Sequence, residues 1–253
     1  MLPRTPSYRL DGKRAVVIGG SRGIGLGCAV ALAEQGASVV IVARSKVQVF
    51  ETVNEMKLEG FSVSGAPMDV SIIDNVKNLM GEYSDIDILV NSAGIARHTP
   101  TVDTTELDFD DVMSVNVRSA YFLAQSAAKQ MISKGTGGSI IQISSQMAHV
   151  GGIDRAVYCG TKHAIEGINK SMAIEFGPHK IRVNSICPTF IRTPFTEPTF
   201  KDPEKVKWIE SKIKVGRVGE VEDIMGAVKF LASDVSAMVT GSSILIDGGW
   251  TAG

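Results

Sequence analysis

The most constraining feature is a short apolar strand that runs straight into a glycine turn and then into a helix. Arg14–Ile18 reads as the strand, Gly19-Gly20-Ser21-Arg22-Gly23-Ile24-Gly25 as the turn, and an alanine- and leucine-rich stretch to about Gln35 as the helix. Glycines let the backbone turn tightly and approach a ligand, while the first helical N–H groups and the helix dipole attract an anion. A plain strand-to-helix connection also uses glycine, so the turn alone leaves both readings open.

The same unit recurs along the chain. A strand over residues 38–43 ends in Arg44-Ser45, and a helix over 46–59 leads to a strand over 62–67 ending in Met68-Asp69-Val70. A helix over 71–83 then feeds a strand over 86–90, which opens into Asn91-Ser92-Ala93-Gly94. The apolar spacing predicts one long helix over 106–134 with Asn116 among apolar neighbours, where an amide is costly unless it is satisfied. Glycines 135, 137 and 138 break that helix before a strand ending at Ser145; a helix through Tyr158 to about Phe176 and a strand over 181–186 follow. Residues 221–232 and 243–246 supply the last helix and strand.

Strictly alternating strands and helices predict an α/β chain: a single-domain, Rossmann-like, doubly wound parallel sheet with helices on both faces, binding ligands beyond the strand C-terminal ends. Residues 1–253 carry no linker or repeat, so one domain is expected. Residues 1–9 read as a flexible tail. The Pro- and charge-rich residues 195–215 read as a mobile insertion over the site.

Composition excludes several functions. The 26 basic and 27 acidic residues are interspersed and leave a net charge of −1, which argues against nucleic acid or an anionic membrane surface as the main partner. No apolar run approaches the ~18 residues of a membrane span, and the N-terminus has no apolar signal core. Cys28, Cys159 and Cys187 are odd in number and lack metal spacing, so neither a disulfide framework nor a zinc site is expected and a reducing cytoplasm fits best.

An acid/base pattern lies in the second half. Ser145 precedes Tyr158 by thirteen residues, and Lys162 follows it by four. On a helix Tyr158 and Lys162 share one face a turn apart. An ammonium near a phenol favours the phenolate, lowering a pKa that is ordinarily about 10. A serine at a strand end is well placed to hold a carbonyl or alcohol oxygen. Alone, Tyr-x-x-x-Lys also arises by chance.

The ordered set of the Gly19/Gly23/Gly25 turn, Asp69, Asn91-Ser92-Ala93-Gly94, Asn116, Ser145, Tyr158-x-x-x-Lys162, Pro188 and Thr193 resembles the short-chain dehydrogenase/reductase family over about residues 10–249. The resemblance implies an enzyme that interconverts a secondary alcohol and a ketone by hydride transfer. Tyr158 would be the proton donor or acceptor, Lys162 would lower its pKa and bind the nicotinamide ribose, Ser145 would orient the substrate oxygen, and Asn116 would hold a relay water. Gly19, Ser21, Arg22, Gly23, Ile24 and Gly25 would cradle the pyrophosphate. Asp69 and Val70 would bracket the adenine, Asn91, Ala93 and Gly94 would line the groove, and Pro188, Ile191 and Thr193 would meet the nicotinamide. Three departures stand out: Ile18 where the turn usually begins with threonine, Ser92 in place of a second asparagine, and Thr189 in place of glycine.

Members that prefer NAD end strand two in an acidic residue, and here Ala43 occupies that place. Arg44 follows, and with Arg22 it offers two guanidinium groups to a 2′-phosphate. NADP(H) is therefore expected as the preferred cofactor, with NAD(H) as the alternative. The substrate region mixes polar Gln146, His149 and Arg155 with Met147, Phe190, Phe195 and Phe200. A small-molecule sugar, polyol or hydroxy/keto acid stands level with a 3-oxoacyl thioester. Epimerisation or dehydration on the same scaffold, and a non-catalytic nucleotide-binding protein, complete the alternatives. The apolar helices around Asn116 and after Tyr158 predict a homotetramer, with a dimer second.

Overall fold

A computed structural model describes residues 2–253; Met1 lies outside the described residues. Seven strands, β1 Arg14–Ile18, β2 Ser38–Ala43, β3 Val63–Pro67, β4 Ile88–Asn91, β5 Gly138–Ile143, β6 Ile181–Pro188 and β7 Ser243–Ile246, form one sheet. All pair in parallel, in the order β3-β2-β1-β4-β5-β6-β7. Residues 2–9 carry no helix or strand and are exposed.

Alternation along the strands divides the core in two. Ala15, Val17, Val39 and Ile41 face helices α1 Gly23–Glu34, α2 Lys46–Leu58 and α9 Glu222–Ala232. Val16, Ile18, Val40 and Val42 face α3 Ile73–Glu82, α5 Ser119–Lys134 and α6 Ala156–Phe176. Both faces are covered, so the central strands β1, β2 and β4 are apolar except for one end residue each, as buried parallel strands favour. Each fully buried Val, Ile or Leu contributes about 1.5–3 kcal/mol.

Strand order reverses between β1 and β4, and the chain leaves the two in opposite directions, opening a crevice at their C-terminal ends. The structure corrects the boundaries that matter there. The helix expected over 106–134 is α4 Glu106–Met113, a π-helical turn Ser114–Arg118, and α5. Thr105 caps α4 by accepting the Asp108 N–H at 3.1 Å. The wide turn carries Asn116, and such turns arise where a side chain must be re-aimed inside an otherwise regular helix. β5 stops at Ile143, two residues before Ser145, and β6 continues to Pro188.

The expected mobile insertion is folded. It forms α7 Glu197–Phe200 and α8 Pro203–Lys212, the latter capped by Asp202, which accepts the Glu204 and Lys205 N–H groups. Ile209, Ile213 and Val218 form a small core with Phe190, Phe200 and Trp250. Gly248, at φ +58°, lets this segment close on the C-terminus, since a Cβ there would sit 2.5 Å from Ile213 Cγ2.

Candidate active site

A cleft of about 930 Å³ opens beyond the ends of β1, β2, β4, β5 and β6. At its floor, Gly19 (φ +74°) and Gly23 (φ +55°) take left-handed conformations that other residues adopt only under strain. Arg22, extended and without a side-chain cap, precedes α1, and no acidic residue occupies its first turn. The leading N–H groups and dipole of α1 thus remain available to an anion. Ser21, Arg22, Gly23 and Ile24 line the cleft. Gly25 does not: a Cβ there would lie 2.1 Å from the Gly19 carbonyl oxygen, so this glycine closes the turn upon itself instead of cradling a ligand.

Arg22 and Arg44 flank the far end of the cleft, both exposed, and neither side chain makes a hydrogen bond or ion pair among the described residues. Asp69 and Val70 lie nearby. Burial raises the Asp69 pKa, but the Ser71 N–H and hydroxyl, at 2.9 and 2.8 Å, and the Arg44 charge outweigh it and hold the carboxyl below its usual value.

The reacting end is built from β5 and α6. Ser145, extended and only 8% exposed, stands beside the Tyr158 phenol, whose pKa it lowers, and its hydroxyl accepts the Met147 N–H at 3.1 Å. Tyr158 and Lys162 occupy adjacent turns of α6, and the Lys162 ammonium lies 5.6 Å from the Tyr158 ring centroid. Lys162 Nζ donates to the Ile143 carbonyl at 2.9 Å. Burial pushes its pKa down to about 8 against the upward pull of Cys187 and Glu166.

The direction expected for Tyr158 is reversed: burial raises its pKa, and the neighbouring Ser145 hydroxyl and the Arg155 charge only partly offset this. The reason is geometric. The ammonium is anchored to a carbonyl and stands off the ring, so desolvation of the phenol prevails.

Besides Gly25, two predicted residues lie outside the cleft lining. Asn91 is buried at the end of β4, donating to Gln142 Oε1 at 2.8 Å and accepting the Ala93 N–H at 3.2 Å. It shapes the turn whose Ala93 and Gly94 face the cleft, and does not line the groove itself. Asn116 is 3% exposed and is satisfied by both polar groups of Ile95 and by Thr161 Oγ1. Its Oδ1 and Lys162 Nζ approach one point beside Gly94, 3.5 and 3.9 Å from where a Cβ would stand.

Pro188, Ile191 and Thr193 line the cleft; the Thr193 side chain packs against Gly23. With Ile18 in place of threonine, the glycine turn is braced by backbone: the Ser92 N–H donates to the Ile18 carbonyl at 2.9 Å. Thr189 also lines the cleft, its hydroxyl buried without a partner among the described residues. His98 was not anticipated at the site. His98, on the loop after β4, touches the Tyr158 ring edge-on at 6.1 Å between centroids and meets Arg155. Gln146, expected in the substrate region, is buried in the cleft wall with both ends of its amide unpartnered among the described residues.

Residues 18–251 match the family model for enoyl-(acyl carrier protein) reductase. The chain is 37% identical over 244 residues to L-xylulose reductase of Bos taurus, covering 96% of this chain and 98% of the relative. The chain belongs to the short-chain dehydrogenase/reductase family. It is likewise 37% identical over 250 residues to 2-dehydro-3-deoxy-D-gluconate 5-dehydrogenase of Escherichia coli, at 97% and 98% coverage. A crystal structure of gluconate 5-dehydrogenase from Burkholderia cenocepacia in complex with NADP and tartrate superposes with a TM-score of 0.94 at 34% identity, covering 97% and 98% of the two chains.

As a member of this family, the protein is an NAD(P)-dependent oxidoreductase acting on CH–OH and C=O groups of a small molecule. The uncapped α1 terminus, the turn closed by Gly25 and the two unpaired arginines fit a phosphate-rich dinucleotide laid along the strand ends.

Proposed function

We propose that the protein uses NADP(H) to interconvert a secondary alcohol and a ketone on a polyhydroxylated, sugar-derived substrate, and that it works in the cytoplasm as a homotetramer. The observation that carries the reaction is the convergence of Ser145, Tyr158 and Lys162 on the reacting end of the cleft, with Lys162 one helical turn from the phenol.

A bound nicotinamide supplies the hydride in reduction and accepts it in oxidation; the remaining chemistry is the chain's own. Ser145 orients the substrate oxygen beside the phenol. Tyr158 gives its proton to that oxygen in reduction and recovers it in oxidation. Since burial favours the neutral phenol, the resting site is poised as a proton donor. Lys162, predominantly protonated at pH 7, directs its remaining N–H groups toward the space beside Gly94 that it shares with Asn116 Oδ1. That space is the place for a relay water between the two, as an amide oxygen has a second lone pair to offer.

The preference for the 2′-phosphate rests on Arg22 and Arg44, both free of protein partners, and on Ala43, where a carboxylate would repel it. NADP in the gluconate 5-dehydrogenase structure accords with this. The sugar class draws on the polar groups at the reacting end, Ser145, His98 and Arg155, which suit a hydroxylated substrate. The relatives named for sugars and sugar acids point the same way.

A second reading, reduction of a 3-oxoacyl thioester, is favoured by Met147, Phe190 and Phe195 along the cleft. Phe200 does not support it, as it packs inside the small core under Arg192. Tetramer formation is supported by the groove between α5 and α6, where Tyr121 is exposed and Ile168 and Phe176 are half-buried. Three free, buried cysteines suit a reducing compartment.

The test is a panel of ketoses, keto acids and 3-oxoacyl thioesters with NADPH and NADH, followed at 340 nm. Turnover of thioesters alone would overturn the sugar reading, and turnover without net absorbance change would indicate epimerisation or dehydration. Light scattering at the mass of a monomer would exclude the tetramer.

A further inference from the structure

Four arginines line the cleft: Arg22, Arg44, Arg97 and Arg155. The first two stand at the phosphate end. Arg97 is paired, with Asp108 at 3.4 Å and Asp111 at 3.9 Å. Arg155 is different. It is half-buried at the reacting end, three residues before Tyr158, and no carboxylate lies within 4.0 Å of it among the described residues. Its neighbour Asp154 turns the loop through a left-handed conformation (φ +59°) and is exposed, away from ion-pairing distance.

What holds Arg155 is neutral. Its guanidinium lies over the Phe190 ring, 5.4 Å from the centroid, and Nη1 is 2.8 Å from His98 Nε2. A guanidinium has donors only, so His98 Nε2 is the acceptor and the imidazole is uncharged. Partial desolvation and then the Arg155 charge push the His98 pKa down to about 4, which keeps the ring neutral at physiological pH. These contacts fix the orientation of the guanidinium and occupy one of its five N–H groups. They leave the guanidinium without an ion-pair partner among the described residues, beside the Tyr158 phenol.

We propose that the missing counter-ion is the substrate's own carboxylate: Arg155, steadied by His98 and Phe190, selects a polyhydroxy keto acid over the corresponding neutral sugar. This rests on the sugar oxidoreductase reading above and narrows it, for a neutral ketose would leave Arg155 as desolvated and unpaired as it stands. Planar, bidentate recognition of a carboxylate is what a guanidinium held in one orientation does best.

The experiment compares matched substrates with NADPH: 5-keto-D-gluconate against L-sorbose, which carries CH₂OH in place of the carboxylate, in the wild type, Arg155→Leu and Arg155→Lys. The wild-type kcat/KM should favour the acid by about 30-fold, the size of one or two charge-assisted hydrogen bonds. Arg155→Leu should erase that ratio through KM, and Arg155→Lys should restore part of it. Inhibition by L-tartrate against L-threitol gives a second readout that needs no turnover, with tartrate weakened in Arg155→Leu. Equal wild-type efficiency on acid and neutral ketose, or equal loss on both in Arg155→Leu, would overturn the proposal and leave the sugar reading intact. Reduction of thioesters but of neither sugar would overturn the reading itself.

Discussion

Asn116 grips Ile95 with both ends of its amide: Oδ1 accepts the Ile95 N–H and Nδ2 donates to the Ile95 carbonyl, each at 2.9 Å. The π-helical turn on one side of the cleft is thereby locked to the loop that carries His98 on the other. Asn116→Leu strands both backbone groups, and a loss of about 2–4 kcal/mol is expected from two hydrogen bonds and their desolvated remnants. Urea denaturation measures it; a loss below about 1 kcal/mol would mean that water replaces the amide.

Removing the phenolic hydroxyl should separate chemistry from binding. Tyr158→Phe is expected to lower kcat by about 10³-fold, the usual worth of a general acid. Cofactor affinity, read by quenching of protein fluorescence, should change little, because the phosphate end lies on β1 and α1. Retained turnover would remove Tyr158 from the reaction.

Cofactor choice should follow the unpaired guanidinium groups. Arg44→Asp puts a carboxylate where the 2′-phosphate is expected and should reduce the ratio of kcat/KM for NADPH over NADH by at least about 30-fold. A wild-type ratio below one would refute the NADP assignment outright.

The pH profile should differ with direction. Oxidation needs the phenolate, and burial holds Tyr158 above its ordinary pKa, so the oxidative kcat/KM is expected to climb about tenfold per pH unit between 7 and 8. Reduction uses the resting phenol and should stay level until Lys162 loses its proton near pH 8. Stability responds to the same group. Lys162 titrates at about 8 in the fold against 10.5 when free, so between those values the unfolded chain binds a proton that the folded chain has released, and the Lys162 contribution rises with pH. Stopped assays in both directions and denaturation at pH 8 and 10 check the two parts; a flat oxidative profile would exclude Tyr158 as the titrating base.

The folded insertion depends on a glycine it closes against. Gly248→Ala forces a Cβ to within 2.5 Å of Ile213 Cγ2 at φ +58°, and a loss of about 1–3 kcal/mol is expected together with a raised substrate KM. The same substitution at Gly60, also left-handed (φ +85°) but with nothing within 4 Å, should cost stability without changing KM.

Much of this site could be read from the sequence where the geometry is local. Tyr158 and Lys162 meet because helix pitch places residues four apart on one face, and the Gly19–Gly25 turn follows from glycine's access to positive φ. Alternating strand and helix patterns determined the parallel sheet, because burial on both faces favours apolar residues along a strand. The wide turn around Asn116 broke a helix whose apolar spacing ran unbroken, and residues 195–215 looked mobile because their partners, Trp250 and Gly248, lie far along the chain.

The sequence by itself determined the fold, the reaction and the family, since these rest on short-range spacing and on an ordered set of residues. Only the tertiary structure decided the direction of the Tyr158 pKa, the satisfaction of Asn116 and the company that Arg155 keeps. Burial and charge depend on what surrounds a group in space, and His98 reaches Arg155 across 57 residues of chain because β4 and β5 lie side by side in the sheet.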